Sequence, residues 1–349
     1  MGKMRVGILG ATGTVGQRFL QLLEHHPQFT VTALAASDRS QGRPYADACA
    51  WRLPGAVPDA ARGLVVRAPE PPLDCDVVFS SLPSDVAGPI ETRFARAGYP
   101  VLTNSSPHRM DDAVPLLIPE VNPDHLALLD ACNDTGRGFI VANPNCSTVM
   151  IALALAPLAA RFGVSAVAVT TLQAISGAGY PGVASLDITD NVVPFISEEE
   201  EKIERETRRI LGSLNVGGVH PAAFAVSAQC HRVNVVDGHL AAVRVTLARP
   251  AELAELREAW ASFTGVPQAL RLHTAPERPI VVRDEPDRPQ PRLDRDTGRG
   301  MSVTVGRIAR DAVLGHRFVA LSHNTIRGAA GAAILNAELL LARGYLRAR

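Results

Sequence analysis

The sequence predicts an α/β fold in which a doubly wound parallel sheet is joined to an α+β domain with a mixed or antiparallel sheet. Three observations support this prediction. Short apolar runs alternate with helical patterns over residues 1–145, a glycine-rich turn follows the first run, and longer strand patterns begin near residue 165. A chain of 349 residues is also long enough for about two domains.

The first domain is predicted from short strand patterns separated by helical segments such as Gln17–His26 and Asp85–Ala97. Strand–helix alternation with short connections is typical of a parallel sheet that carries helices on both faces. The predicted strands are Arg5–Leu9, Thr30–Ala35, Gly63–Arg67, Val77–Ser80 and Val101–Thr103.

The second part is predicted to begin with a helix from Cys146 to about Phe162 and to contain a highly charged helix, Glu198–Leu211. Pro276–Pro291 is rich in proline and charge, so we expect an ordered surface loop there. The closing run Asn324–Leu346 is expected to form one helix that returns to the first domain. We therefore expect one domain over 1–145 with 324–349 and a second over 146–323. The predicted strands of the second domain are Ser165–Gln173, Phe224–Ala228, Gly238–Leu247 and Met301–Asp311.

The composition excludes several classes of protein. Basic and acidic residues balance at 35 each, which removes the usual reason to expect nucleic acid as a partner. The five cysteines include no CxxC pair, so neither a disulfide framework nor a metal site is expected. The N-terminus shows no signal-peptide pattern, and the longest apolar stretch, 149–160, is too short to span a bilayer. We expect a cytoplasmic protein with no membrane partner.

A glycine-rich turn with the spacing Gly7-x-x-Gly10-x-x-Gly13 follows the first predicted strand and precedes a helix. In this position backbone N–H groups and a helix N-terminus can bind a pyrophosphate, and a β-carbon would block its close approach. We predict a Rossmann-like dinucleotide site. The alternative is a strand–helix turn that needs glycine for its backbone alone.

The tip of the second predicted strand carries Ser37-Asp38-Arg39-Ser40, where the adenosine ribose of a dinucleotide would lie. An acidic residue there favours NAD, whereas an arginine with hydroxyl neighbours favours the 2′-phosphate of NADP. We predict NADP, with Ser37 and Arg39 as its phosphate ligands. The alternative is that Arg39 lies on a solvated loop.

Cys146 follows Asn143-Pro144-Asn145 and stands at the predicted start of a helix. The free N–H groups and the positive end of the helix dipole can stabilise a thiolate there, and also an oxyanion formed by its attack on a carbonyl. Asn145 can add a side-chain donor. The alternative is that Cys146 is a small buried residue. Packing alone is what we expect of Cys49, Cys75, Cys132 and Cys230.

A thiol nucleophile needs a proton acceptor, and His239 is the candidate among ten histidines. His239 lies seven residues after Arg232, an odd offset that puts the two on opposite faces of a regular strand. A turn at Asp237-Gly238 would break this alternation and bring both side chains into one cleft. His231 and His323 remain alternatives that spacing does not exclude.

Six motifs, in order along nearly the whole chain, carry a resemblance to a known family. They are Gly10–Gly16, Asn143–Thr148, Leu172–Gly182, Asp190–Ile196, Arg283–Arg292 and His323–Gly331. The chain resembles the aspartate-semialdehyde dehydrogenases, in particular the branch common in archaea and fungi. The resemblance strengthens the assignment of Cys146 as a nucleophile.

The resemblance implies that L-aspartyl-4-phosphate and NADPH react to give L-aspartate 4-semialdehyde, NADP⁺ and phosphate, in the biosynthesis of Lys, Met, Thr and Ile. It implies that Cys146 attacks the acyl phosphate, that Gln173 orients the acyl group, and that His239 is the acid/base, with a pKa near the working pH. It also implies a homodimer or homotetramer built on the second domain, which would be the catalytic and dimerisation domain.

The resemblance also implies how the substrate is held. Arg232 would bind its α-carboxylate through a bidentate pair, and Arg109 would bind the departing phosphate together with Asn145. One glutamate of Glu198–Glu201 would bind the substrate ammonium, and Lys202 would bind phosphate. We select Glu199, which lies on the same helix face as Lys202; the alternative is that this run is only a solvated helix surface.

The cofactor residues implied by the resemblance lie in the glycine turn, at the ends of the following strands, in the loop after Gln173 and at the start of the closing helix. They are Gly10, Thr12, Gly13, Thr14, Val15, Ser37, Arg39, Ser80, Ser81, Ser176, Gly177 and Asn324.

Two other functions compete with this interpretation. A reductase of another activated acyl group, such as malonyl-CoA, has the same plan but a substrate without an ammonium group. N-acetylglutamyl-phosphate reductases resemble the chain more distantly and carry a different cysteine motif. A non-catalytic, redox-sensing nucleotide-binding protein would need none of Gln173, Arg232 and His239.

Overall fold

The computed structural model of the chain describes residues 2–130, 132 and 138–348. The first of its two large sheets has the strand order β3-β2-β1-β4-β5-β6, and all its strand pairs are parallel. The predicted doubly wound parallel sheet is therefore confirmed. Its strands are β1 (Met4–Leu9), β2 (Phe29–Ala35), β3 (Val66–Arg67), β4 (Val77–Ser80), β5 (Val101–Thr103) and β6 (Ile140–Ala142).

The helices of this part connect the strands of the first sheet. They are α1 (Thr14–Leu23), α2 (Tyr45–Ala48), α3 (Asp59–Arg62) and α4 (Ser84–Arg96), with a 3₁₀ segment at Pro123–Leu129.

The second large sheet has the order β10-β7-β11-β14-β13-β12. Two pairs, β10 with β7 and β12 with β13, are parallel, and the others are antiparallel, so the predicted mixed sheet is confirmed. A short hairpin of β8 and β9 stands apart. The strands are β7 (Val164–Gln173), β8 (Ser213–Asn215), β9 (Gly218–His220), β10 (Ala225–Arg232), β11 (His239–Leu247), β12 (Ile280–Val282), β13 (Val303–Asp311) and β14 (Gly315–Ser322).

The helices of the second part range from single turns to one helix of 17 residues. They are α5 (Cys146–Phe162), α6 (Ser185–Ile188), α7 (Glu199–Ile210), α8 (Leu253–Ala261), α9 (Val266–Ala269), α10 (Pro291–Asp294) and α11 (Gly331–Ala342), with a 3₁₀ turn at Ile175–Ala178 and a π turn at Ile326–Ala330.

The helix α5 lies inside the molecule, because it is apolar on almost every side. Its Ile151 belongs to a core cluster that also includes Leu9 of β1 and Val243 of β11. The two sheets therefore share a core through α5, which fixes the residue at its N-terminus relative to both. No helix within the described residues is both long and apolar enough to cross a membrane.

The closing segment returns to the first sheet, but it is not one continuous helix as predicted over Asn324–Leu346. The π turn comes first, with the N–H of Gly328 donating to the carbonyl of His323 at 3.1 Å. The helix α11 follows and ends at Ala342. Ile334 of this helix packs in the same core cluster as Ile8.

The other differences from prediction concern short strands and element boundaries. The segment Pro276–Pro291 is not only a loop, because its apolar triplet forms β12, which pairs with β13. The strands β6, β8, β9 and β14 were not predicted either. The helix α1 starts at Thr14, three residues before the predicted start, since the glycine turn leads directly into it.

The second sheet brings three predicted site residues to one edge. Gln173 and Arg232 end the parallel strands β7 and β10 and are direct partners across them. His239 begins β11, which runs antiparallel to β7, so its first residue lies beside the end of β7. The edge faces the start of α5.

Candidate active site

The glycine turn has the close packing that a dinucleotide site requires. Gly10 has φ +75, and a Cβ there would lie 2.6 Å from the carbonyl oxygen of Ser81. A Cβ on Gly16 would lie 2.3 Å from the carbonyl oxygen of Gly10. The helix α1 has no capping side chain and no acidic residue in its first turn, so its N-terminal N–H groups suit an anion.

A cavity of about 890 Å³ runs from this turn to the start of α5. Its wall includes Ser37 and Arg39 at one end and Cys146 at the other, whereas Asp38 is not part of it. The volume and the glycine cradle fit a dinucleotide, and the side chains at the ribose end fit the 2′-phosphate of NADP. The other predicted cofactor residues in the wall are Thr12, Gly13, Thr14, Val15, Ser81, Ser176, Gly177 and Asn324.

Two predicted cofactor residues do not line the cavity. Ser80 is fully buried, and its hydroxyl donates to Glu91 Oε1 at 2.6 Å, so its side chain does not face the cavity. It ends β4 with its side chain directed into the fold, whereas the next residue, Ser81, reaches the cavity. Gly10 does not line the cavity, but its positive φ allows the tight turn between β1 and α1.

Cys146 is the first residue of α5, and Asn145 caps this helix. The Asn145 Oδ1 accepts from the N–H groups of Ser147 at 2.9 Å and Thr148 at 3.2 Å. These N–H groups are therefore engaged, rather than free for an oxyanion as the sequence suggested. Cys146 as a residue is partly exposed and lines the cavity.

His239, rather than His231 or His323, contacts the nucleophile. Its Nε2 lies 3.2 Å from Cys146 Sγ. The N–H of Ala174 donates to its Nδ1 at 3.1 Å. Because Nδ1 accepts, the proton of the neutral ring is on Nε2 and faces the sulfur.

The pKa values of this pair differ from the sequence-based expectations. Burial raises the pKa of the Cys146 thiol to about 12, the Glu199 carboxylate adds to this rise, and Arg109 and Arg232 oppose it. Burial also lowers the pKa of His239 to about 3, with a further decrease from Arg232. The lowered thiol pKa expected from the helix start is not found, because desolvation of Cys146 outweighs the opposing effects of Arg109, Arg232 and the Ser147 N–H. A His239 pKa near the working pH is not found either, because burial and the Arg232 charge both disfavour the protonated ring.

Arg232 and His239 meet at one point, as predicted from the turn between their strands. A Cβ on Gly177 would lie 2.8 Å from Arg232 Nη1 and 3.0 Å from His239 Nε2. Arg232 Nη1 also donates to the carbonyl of Ala174 at 2.8 Å. Asn324 supports the same loop by donating to Ser176 Oγ at 2.8 Å.

The structure places Glu199, among the four consecutive glutamates, next to the nucleophile. Its Oε1 accepts from Asn145 Nδ2 at 2.7 Å, and its Oε2 accepts from Gln173 Nε2 at 3.0 Å. Lys202 also lines the cavity, where it pairs with the exposed Glu198 at 3.0 Å.

Arg109 also lines the cavity, and its partners include a residue that sequence reasoning missed. Its Nη2 donates to the carbonyl of Asn104 at 2.7 Å, and its Nη1 donates to Glu206 Oε1 at 3.0 Å. Glu206 lies seven residues after Glu199, a helical spacing that could have revealed it.

Comparisons with known proteins agree with this geometry. Residues 5–129 match the family described as semialdehyde dehydrogenase, NAD binding domain, and residues 155–327 match semialdehyde dehydrogenase, dimerisation domain. An aspartate-semialdehyde dehydrogenase of Methanothermobacter thermautotrophicus is 52% identical over 97% of this chain and 99% of that protein. The corresponding protein of Schizosaccharomyces pombe is 48% identical over 98% of this chain and 99% of its own.

A solved structure is similar over the same length. The crystal structure of aspartate semialdehyde dehydrogenase with NADP from Candida albicans matches with a TM-score of 0.92 and 44% identity, covering 99% of this chain and 100% of that chain. Sequence, fold and the arrangement around Cys146 therefore lead to the same assignment. The chain belongs to the aspartate-semialdehyde dehydrogenase family.

Proposed function

We propose that this chain is an NADP-dependent aspartate-semialdehyde dehydrogenase, which converts L-aspartyl-4-phosphate to L-aspartate 4-semialdehyde and phosphate through a thioester on Cys146. One observation carries the proposal. The Cys146 sulfur lies 3.2 Å from His239 Nε2, and Cys146 opens on the same cavity as the glycine turn and Arg39. The relatives' names and the NADP-bound relative support the substrate and the cofactor.

In the acylation step, Cys146 Sγ bonds to the acyl carbon and the bond from that carbon to the phosphate oxygen breaks. The thiol proton leaves with phosphate, so the step balances without a lasting change in the charge of His239. The ring, with its proton on Nε2, donates to the sulfur as negative charge develops there. For His239 to accept the thiol proton at Nε2, the ring would have to carry its own proton on Nδ1. That proton would face the N–H of Ala174, which is also a donor.

The charges in the cavity wall and the guanidinium of Arg232 beside Gly177 favour an aspartyl substrate. Arg109 and Lys202 are the cations proposed to bind phosphate, with Asn145 beside them, and Arg232 would bind the α-carboxylate. A substrate ammonium paired with Glu199 would neutralise the carboxylate that raises the thiol pKa. Binding of the correct substrate would therefore ease formation of the thiolate.

In the second step, bound NADPH would supply the hydride that reduces the thioester carbonyl. Gln173 is proposed to orient this carbonyl, and its amide is already held within the site by Glu199 at 3.0 Å. When the C–S bond breaks, His239 Nε2–H faces the departing sulfur, and the uptake of one proton restores the thiol. A thioester is more electrophilic than a carboxylate, so the covalent step prepares the acyl group for reduction.

Assembly and location follow from the same assignment. We propose that the chain works in the cytoplasm as a homodimer or homotetramer. The match of residues 155–327 to a dimerisation domain supports contact through the second sheet. We also propose the domain division 1–145 with 324–349 and 146–323, which is supported by the return of α11 to the first sheet.

The substitution Cys146→Ala tests the proposal. It should lower the rate of NADPH formation from aspartate semialdehyde, NADP⁺ and phosphate by more than about a thousandfold, since losing a nucleophile normally costs at least that much. NADPH affinity should stay within about twofold of the parent, because the cofactor is held mainly at the glycine turn. The control is Cys132→Ala, which removes a thiol outside the cavity wall.

Two outcomes would reject the proposal. Residual turnover of Cys146→Ala above about one part in a thousand would exclude covalent catalysis. A parent enzyme that turns over malonate semialdehyde with CoA, but not aspartate semialdehyde with phosphate, would exclude the substrate. The aspartyl substrate is favoured because Glu199, an acid suited to an ammonium, lies in the cavity wall.

A further inference from the structure

Glu206 is a buried carboxylate with no part in the mechanism above. It lies on α7, and only 2% of its surface is exposed. Its two oxygens bind two different segments of the chain. Oε1 accepts from Arg109 Nη1 at 3.0 Å, and Oε2 accepts from the backbone N–H of Asn145 at 2.6 Å.

These two contacts join the parts that must act together in acylation. Asn145 is the cap of α5 and immediately precedes Cys146, so its backbone sets the position of the sulfur. Arg109 follows β5 and reaches the cavity from the first sheet. One carboxylate thus fixes the distance between the start of α5 and a guanidinium of the cavity wall.

We propose that Glu206 is a positioning residue, which aligns the phosphate-binding Arg109 with the Cys146 nucleophile. The inference rests on the proposed function, because it assigns the anion at Arg109 as the phosphate group of the reaction. Glu206 itself is not expected to touch the substrate, since both its oxygens are engaged within the protein.

The orientation of Arg109 supports this role. The guanidinium has five N–H donors, of which one on Nη1 binds Glu206 and one on Nη2 binds the carbonyl of Asn104. These two anchors fix the plane of the group and leave other donors for the cavity that Arg109 lines. A planar guanidinium binds phosphate best when it is held in one orientation, because two parallel N–H groups must meet two oxygens.

A purely stabilising role is less consistent with this arrangement. Buried ion pairs often contribute little to net stability, because desolvation of both charges offsets their attraction. Arg109 is only 8% exposed. Without Glu206, its buried guanidinium would lose its carboxylate partner and keep the bond to the Asn104 carbonyl. The guanidinium would then reorient towards water in the cavity and lose its alignment with Cys146.

The test is Glu206→Gln, which keeps the size of the side chain and removes its charge. The KM for phosphate in the phosphorylating direction should rise at least about tenfold, which corresponds to about 1.4 kcal/mol. The dissociation constant for NADPH should change less than about twofold, since Glu206 is not in the cavity wall. Glu206→Asp keeps the charge on a shorter side chain, so its KM for phosphate should lie between those of the parent and Glu206→Gln. This variant provides the test if Glu206→Gln does not fold.

The matched control is Glu201→Gln, on the exposed side of the same helix, which should leave all constants unchanged. A KM for phosphate within about twofold of the parent in Glu206→Gln would overturn the inference, as would equal changes in every kinetic constant together with a lowered Tm.

Calorimetric titration with inorganic phosphate separates this inference from the proposed function. If the parent binds phosphate but shows no phosphate-dependent turnover, the proposed function fails. A tenfold or greater loss of phosphate affinity in Glu206→Gln would then still support the positioning role. Equal phosphate binding by parent and variant, or no binding by either, would overturn it.

Discussion

The substitution Gly328→Ala should impair catalysis by displacing the nucleophile. Gly328 lies in the π turn that packs against the start of α5. A Cβ on this residue would lie 2.6 Å from the Cβ of Cys146 and 3.0 Å from its Cα. Carbon atoms in contact are separated by about 3.5–4.0 Å, so one of the two segments must move by roughly 1 Å.

The π turn is anchored by its own buried ion pair, so it cannot absorb the whole displacement. Its Arg327 is fully buried and makes two bonds to the carboxylate of Glu120, at 2.7 and 2.8 Å. We therefore expect Cys146 to move. A misplacement of about 1 Å in an active site can reduce the rate about a hundredfold, which equals about 2.7 kcal/mol of transition-state stabilisation.

The assay is kcat/KM for aspartate semialdehyde with NADP⁺ and phosphate, measured together with NADPH affinity and Tm. The control is Gly63→Ala, because a Cβ on Gly63 would meet nothing within 4 Å. A Gly328→Ala enzyme that keeps more than about one third of the parental kcat/KM would refute the argument, since a displaced sulfur cannot sustain that rate. A parallel loss of NADPH affinity would show that the displacement is not local.

Three further predictions concern charge. Glu199→Gln should speed alkylation of Cys146 by iodoacetamide severalfold at pH 7.5, because removing the carboxylate lowers the thiol pKa. Each pKa unit changes the thiolate fraction about tenfold. An unchanged rate would show that Glu199 does not raise this pKa. Arg39→Ala should raise the KM for NADPH at least about tenfold and leave that for NADH unchanged, since a charged hydrogen bond contributes about 1.5–3 kcal/mol; equal effects on both cofactors would contradict the 2′-phosphate assignment. Stability to urea should fall as the pH decreases from about 6.5 towards 4, because the unfolded chain binds protons that the folded chain excludes. The free energy of unfolding should fall by up to about 1.4 kcal/mol per pH unit for each buried histidine whose folded-state pKa is lowered. Constant stability between pH 7.5 and 5 would contradict this prediction. These histidines are His125, His239 and His323.

Much of the fold could be predicted because local patterns and tertiary structure agree. The strand–turn–helix pattern around Gly10 produces β1, the turn and α1 in their expected order. Asn145 before Cys146 is a capping residue before an apolar helix, and α5 begins there as predicted. The turn between Arg232 and His239 brings both to Gly177, because it reverses the chain at the edge of one sheet.

Other features depend on tertiary contacts that the sequence does not show. The π turn lies within an Ala-rich run that reads as a continuous helix, and its close approach to Cys146 appears only when both segments are placed. The strand β12 has three residues and forms by pairing with β13, so periodicity cannot reveal it. The direction of the Cys146 and His239 pKa shifts depends mainly on burial, which follows from the tertiary structure and not from the local sequence.

The most direct test of the account is detection of the acyl group on Cys146. The enzyme is incubated with aspartate semialdehyde and NADP⁺ in phosphate-free buffer, quenched in acid, and digested for mass spectrometry. We predict an aspartyl adduct on the peptide that carries Cys146, lost on treatment with hydroxylamine and absent when phosphate is supplied before quenching. NADPH formation without an adduct on that peptide, or with an adduct on another cysteine, would contradict covalent catalysis by Cys146.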